Sequence, residues 1–133
     1  GYTVTGSDNS SLFVERYRQK RPDADLLVLD ATTLATDRQF NCVYSNKVLH
    51  HLTKTELEAS LRKQARLLTD HGILLHSFWA GDHVEQIQGM KFTYYTASSL
   101  AELVGDEYAM IDCQFYSEME PDDSLYLILR KQG

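Results

Sequence analysis

The chain has 133 residues, 43% of them hydrophobic and 11% aromatic, which is enough apolar material for one domain with a real core and too much for a disordered segment. A formal charge of −6 argues against an electrostatic nucleic-acid or anionic-membrane surface, since phosphate binding needs clustered Lys and Arg. No apolar run approaches the roughly 20 residues of a membrane span, so the expectation is a single cytoplasmic domain over residues 1–133.

The β-rich stretch Tyr2–Thr5, closed by Gly6-Ser7-Asp8-Asn9, predicts a short strand and a turn. A helix is expected from Ser10 or Ser11, with Leu12, Phe13 and Tyr17 at helical spacing and Pro22 beyond its end. Its basic residues Arg16, Arg18, Lys20 and Arg21 read as a solvated face and a C-terminal complement to the macrodipole. The continuous apolar run Leu26-Leu27-Val28-Leu29, ended by Asp30, predicts a strand buried on both faces, as in a parallel sheet covered by helices.

After a polar loop, Phe40 to Ser45 predicts another strand. Thr53-Lys54-Thr55-Glu56 is a capping-box sequence, and Leu57, Leu61, Ala65 and Leu68 mark the buried stripe of the helix it starts. Asp70-His71-Gly72 is expected to end that helix through a left-handed glycine, before a strand from Ile73 to Trp79. Residues 80–95 look irregular, with the aromatic run Phe92, Tyr94 and Tyr95, and suit a lid. Thr96 opens a short helix that ends by Gly105. Two last strands, Tyr108 to Tyr116 and Ser124 to Arg130, are joined too tightly for a helical crossover, which predicts an antiparallel hairpin. Cys42 and Cys113 both fall in predicted strands and read as reduced core residues.

Strand and helix thus alternate until the closing hairpin, giving an α/β class with a mostly parallel sheet. Ligands bind such sheets at the C-terminal strand ends, so Asp8, Asp30, Ser45 and Asn46 carry weight. Catalytic and metal motifs are sparse. His50, His51, His76 and Cys42 show no His-x-x-x-His or Cys-x-x-Cys spacing, so no metal is expected, and Gly-x-Ser-x-Gly is absent.

Several phrases, taken in this order, resemble the class I S-adenosylmethionine-dependent methyltransferases from their second strand onward. Gly1-Tyr2-Thr3-Val4-Thr5-Gly6-Ser7-Asp8 is similar to the strand whose terminal carboxylate binds the ribose hydroxyls. Leu29-Asp30-Ala31 is similar to the next strand end, which recognises adenine through an acidic side chain and a backbone amide. Phe40-Asn41-Cys42-Val43-Tyr44-Ser45-Asn46-Lys47-Val48-Leu49-His50-His51-Leu52 resembles the segment that relatives place beside the transferred methyl group. In it Asn41 stands where relatives often carry Asp.

The resemblance implies a Rossmann-like methyltransferase sheet with S-adenosylmethionine as cofactor. It implies Asp8, Asp30, Ala31, Ser45 and Asn46 as cofactor-binding residues and a small-molecule methyl acceptor. His50 or His51 is the candidate general base, with Tyr44 or Tyr94 to orient the acceptor. Relatives also have a first, central strand and a glycine-rich loop, and no Gly-x-Gly occurs here. The chain therefore reads as truncated at its N-terminal side. Unpaired strand edges then have to be repaired, by direct pairing of the flanking strands or by a second copy completing the sheet as a homodimer. The alternative function is a non-catalytic remnant serving as an oligomerisation or interaction module.

Overall fold

The computed structural model describes residues 2–132. Its first unit is strand β1 (Thr5–Asp8), helix α1 (Ser11–Lys20) and strand β2 (Asp25–Val28), with β1 and β2 paired in parallel. The side chain of Ser10 caps α1 by accepting the Phe13 amide at 3.1 Å. The first strand lies three residues later than the propensity of Tyr2–Thr5 suggests, and Tyr2 and Val4 are exposed. Ladder partners decide the placement: Thr5 pairs with Asp25 and its hydroxyl donates to the Asp25 carboxylate at 2.6 Å. Nor is β2 buried on both faces. It is an edge strand, and Val28 stays half exposed because only Val14 of α1 reaches the interior.

Strand β3 (Phe40–Asn46) leads through a 3-10 turn (Leu49–His51) into α2 (Lys54–Leu67) and the long strand β4 (Leu68–Trp79). The capping box forms as its sequence requires, Thr53 Oγ1 accepting from Glu56 and the Glu56 carboxylate accepting from the Thr53 amide. Leu57, Leu61, Ala65 and Leu68 are all buried. The left-handed residue after α2 is His71 (φ 60°), not Gly72. Glycine is needed at 72 for space instead: a Cβ there would sit 2.9 Å from the Thr69 carbonyl oxygen.

Residues 80–95 are not irregular. They form an antiparallel hairpin of β5 (Val84–Ile87) and β6 (Met90–Thr93), turned at Gln88 and Gly89, both with positive φ as a two-residue type I′ turn requires. Helix α3 (Ala97–Val104), capped by Thr96, precedes β7 (Tyr108–Tyr116) and β8 (Ser124–Lys131). The main sheet has the order β3-β4-β8-β7, with β8 inserted antiparallel between β4 and β7. Leu74, Phe78, Leu125, Leu127 and Leu129 point from it into a core shared with Leu57 and Leu61 of α2 and Leu100 of α3. Its other face carries Tyr44, Leu75, Tyr126 and Ile128, which line a hollow of about 430 Å³.

Among the described residues no ladder joins β1 to β3, so the expected closed-up sheet does not form. Side chains connect the two sheets instead. Arg38, two residues before β3, donates to Asp25 (2.6 Å) and to Thr5 (3.1 Å), and Ser60 of α2 donates to the Ala31 carbonyl at 2.7 Å. The consequence for β3 is an open edge, on which Cys42 is exposed rather than in the core; Cys113 is half buried.

Candidate functional site

The parallel pairing of β1 with β2 brings Asp8 opposite Val28, two residues short of Asp30, so both carboxylates stand at one end of one sheet. Asp8 accepts the Ser10 amide through Oδ1 at 2.8 Å. Asp30 accepts the Thr32 amide (2.8 Å) and hydroxyl (2.6 Å), also through Oδ1. Those two bonds hold its carboxyl below the usual range and therefore ionised near neutrality. In each case Oδ2 has no partner among the described residues, and neither does the amide of Ala31. Two carboxylate oxygens that can accept and one N–H that can donate are thus free at adjacent strand ends, a set suited to a nucleoside.

At the end of β3 the candidate residues are tied into the sheet. The Asn46 carboxamide oxygen accepts from Ser77 in a short bond, while Ser45 faces the α2 side and donates to Nδ1 of His76 at 2.6 Å. Lys47 follows with φ 55° and its amide on Ser77. Its ammonium lies 3.3 Å above the Trp79 ring centroid, 2.7 Å from Glu118 and 2.9 Å from Ser124, which pins the β7–β8 turn against the end of β4. The linear sequence did not single out Lys47; its only signal there is its place directly after Ser45-Asn46.

The two histidines have different surroundings. His50 is 4% exposed, stacked on Phe92 with centroids 5.2 Å apart, and its Nδ1 has no partner. Burial, reinforced by the nearby His51 and Lys47, pushes it down to about 4, so it is neutral at physiological pH. His51 donates Nδ1–H to the Lys91 carbonyl at 3.0 Å, and Nε2 has no partner among the described residues. With Thr93 Oγ1 donating to the Leu52 carbonyl at 3.0 Å, these contacts seat the β5–β6 hairpin over the 3-10 turn. Tyr44 makes no hydrogen bond or ring contact with either histidine among the described residues; it opens onto the hollow on the opposite sheet face. Of the remaining aromatics, Tyr94 bonds Glu85 and stacks on His83, and Tyr95 is in the core against Phe78.

Comparison with known proteins follows the same lines. A family model described as "Methyltransferase domain" matches residues 1–72. Among solved structures, the 1,6-didemethyltoxoflavin-N1-methyltransferase of Burkholderia thailandensis, bound to 1,6-didemethyltoxoflavin and S-adenosylhomocysteine, superimposes with a TM-score of 0.83 at 19% identity over 100% of this chain. A SAM-dependent methyltransferase of Methanosarcina mazei gives 0.84 at 14% identity over 99% of this chain and 83% of its own. The glycopeptide N-methyltransferase MtfA with bound S-adenosylhomocysteine gives 0.80 at 13% identity over 98% of this chain and 74% of its own. The chain spans 63% of the Burkholderia enzyme's length. No curated protein matches in sequence. The family model takes in more than half of the 133 residues and the shared fold takes in nearly all of them; the chain belongs to the methyltransferase domain family, with the class I, Rossmann-like architecture.

Proposed function

We propose that this chain forms the nucleoside-binding and methyl-transfer half of a cytoplasmic S-adenosylmethionine-dependent methyltransferase acting on a small molecule. The observation that carries this reading is the pair of ionisable strand ends, Asp8 and Asp30, each with a free carboxylate oxygen on the same edge of one parallel sheet. Asp8 would accept both hydroxyls of a ribose, a vicinal diol that a carboxylate matches. Asp30 would accept an exocyclic amine and the Ala31 amide would donate to a ring nitrogen, so the pair reads an adenine. The bound cofactor supplies an electrophilic methyl on a sulfonium whose departure leaves a neutral thioether, so the protein needs alignment more than acid catalysis.

If the acceptor must lose a proton, His51 is the better-placed base of the two histidines, because Nε2 is its free nitrogen while His50 is enclosed beneath Phe92. Ser45 and Asn46, both engaged inside the sheet, would shape the methyl end through the backbone they hold. A small-molecule acceptor is supported by the 1,6-didemethyltoxoflavin bound in the Burkholderia relative. Calorimetric titration of S-adenosylhomocysteine tests the reading: binding is expected, and folded protein that gives no heat at millimolar ligand refutes it.

The outer edges of β1 and β3, both unpaired among the described residues, favour a second reading in which the chain is a non-catalytic module completed by a second copy. Light scattering that returns a strict monomer eliminates it.

A further inference from the structure

His76 is fully buried and belongs to none of the groups so far given a role. It is the middle of a continuous chain of hydrogen bonds. Ser45 Oγ lies 2.6 Å from its Nδ1, Gln64 Oε1 lies 2.7 Å from its Nε2, the Gln64 amide nitrogen is 3.1 Å from Ser60 Oγ, and Ser60 donates to the Ala31 carbonyl at 2.7 Å. The pieces come from four separate places in the sequence. Ser45 and His76 are register partners on β3 and β4, Ser60 and Gln64 are one turn apart on α2, and Ala31 follows β2.

The polarity of this chain is dictated from one end. A carbonyl oxygen can only accept, so Ser60 must give its proton to Ala31 and accept from the amide of Gln64. That turns the Gln64 oxygen toward His76, whose Nε2 must then carry the proton. Nδ1 is left as an acceptor, and the hydroxyl of Ser45 must donate to it. Each member has one orientation compatible with the next, and no charged group interrupts the series.

We propose that Ser45, His76, Gln64 and Ser60 act as a positioning chain that couples the Asp30–Ala31 backbone, where the nucleoside would sit, to the end of β3, where the methyl group would be transferred. The proposal rests on the methyltransferase reading. It makes His76 a positioning residue, not a catalytic one: among the described residues its two ring nitrogens bond Ser45 and Gln64. A nucleoside that shifts the Ala31 carbonyl changes its bond to Ser60, and the same series of donors carries the change to Ser45.

The test uses the chain as it is, labelled with 15N, and adenosine and S-adenosylhomocysteine as probes. In the free protein the His76 ring should show the Nε2–H tautomer. Adenosine, which has no methionine part to reach β3, should shift the His76 ring nitrogens. Gln64→Met, which cuts the chain between Ala31 and His76, should abolish that shift, whereas Ser45→Ala, which removes only the far hydroxyl, should keep a shift at Nε2 and lose the one at Nδ1. Both should weaken adenosine binding roughly five- to tenfold, the size of an ordinary coupling between sites, and Ser45→Thr should restore it. If the wild type binds adenosine but the His76 nitrogens do not move, or if Ser45→Ala binds it as tightly as wild type, the coupling is refuted while the cofactor reading stands. If the wild type binds neither probe, the cofactor reading falls and takes the coupling with it. Should Gln64→Met not fold, the wild-type titration and Ser45→Ala decide the matter.

Discussion

Two buried histidines should make this protein unusually sensitive to mild acid, and the effect can be sized. Burial pushes His76 down to about 4 from an ordinary 6.5, and the same cause, with His51 and Lys47 nearby, does so for His50. Between those values the unfolded chain takes up a proton that the folded protein refuses, so the unfolded state gains as pH falls. The stability at stake is complete above pH 6.5 and withdrawn toward pH 4. For His76, with 1% of its surface exposed, it amounts to about 3 kcal/mol in all, of which about 2 kcal/mol is gone by pH 5. Carboxylates add little in this window. The four held below their ordinary values by hydrogen-bond partners, Asp25, Asp30, Asp112 and Asp123, lose their contribution at lower pH. Urea unfolding followed by far-UV circular dichroism at pH 8, 7, 6 and 5 reads the slope directly. His50→Phe is the companion variant. His50 Nδ1 has no partner to lose and its ring already stacks on Phe92, so the substitution should leave stability at pH 7.5 within about 1 kcal/mol of wild type. It should also remove one of the two protons from the slope. A wild-type stability that is flat from pH 8 to 5, or a variant that tracks wild type throughout, refutes the reasoning.

Four further outcomes are expected. Asp8→Asn and Asp30→Asn should each lower affinity for S-adenosylhomocysteine about tenfold or more with unchanged circular dichroism, because a charge-assisted bond to the nucleoside is replaced by a neutral one; isothermal titration measures it. Thr53→Ala should reduce stability by about 1 kcal/mol through loss of the capping box, seen as a lower urea midpoint at constant slope. Gly89→Ala, at φ 80° in open space, should cost only the roughly 1–2 kcal/mol of a left-handed residue. Gly72→Ala, at ordinary φ but facing the Thr69 carbonyl at 2.9 Å, should lower the melting temperature more, since the backbone itself must move.

Local signals were legible wherever they could be satisfied locally. The capping box at Thr53, the stripe Leu57-Leu61-Ala65-Leu68, the cap at Thr96 and the tight β7–β8 connection each involve residues a few positions apart, and each appears in the fold as its sequence implies. Asp8 and Asp30 were legible as strand ends because an apolar or β-rich run stops at or near them. The β5–β6 hairpin was hidden by its turn: Gln88 takes a left-handed conformation that its residue type does not advertise, and the strands carry no clean alternation. The helix end also differs from the expectation: α2 stops at Leu67 with Leu68 already extended, and the positive φ falls at His71, inside β4, rather than at Gly72.

What the residues alone determined is therefore most of the elements, the β5–β6 hairpin excepted, and their α/β order, because these follow from local patterns; the family came from the resemblance of several such phrases taken in chain order. Tertiary structure decided everything that depends on who stands beside whom. It placed β8 between β4 and β7, left the edges of β1 and β3 open, and so exposed Cys42 in a run that reads as core. It also assembled Ser45, His76, Gln64, Ser60 and Ala31 from four distant segments. Burial and hydrogen bonding act between spatial neighbours, and spatial neighbours far apart in the chain leave no periodicity by which to find them.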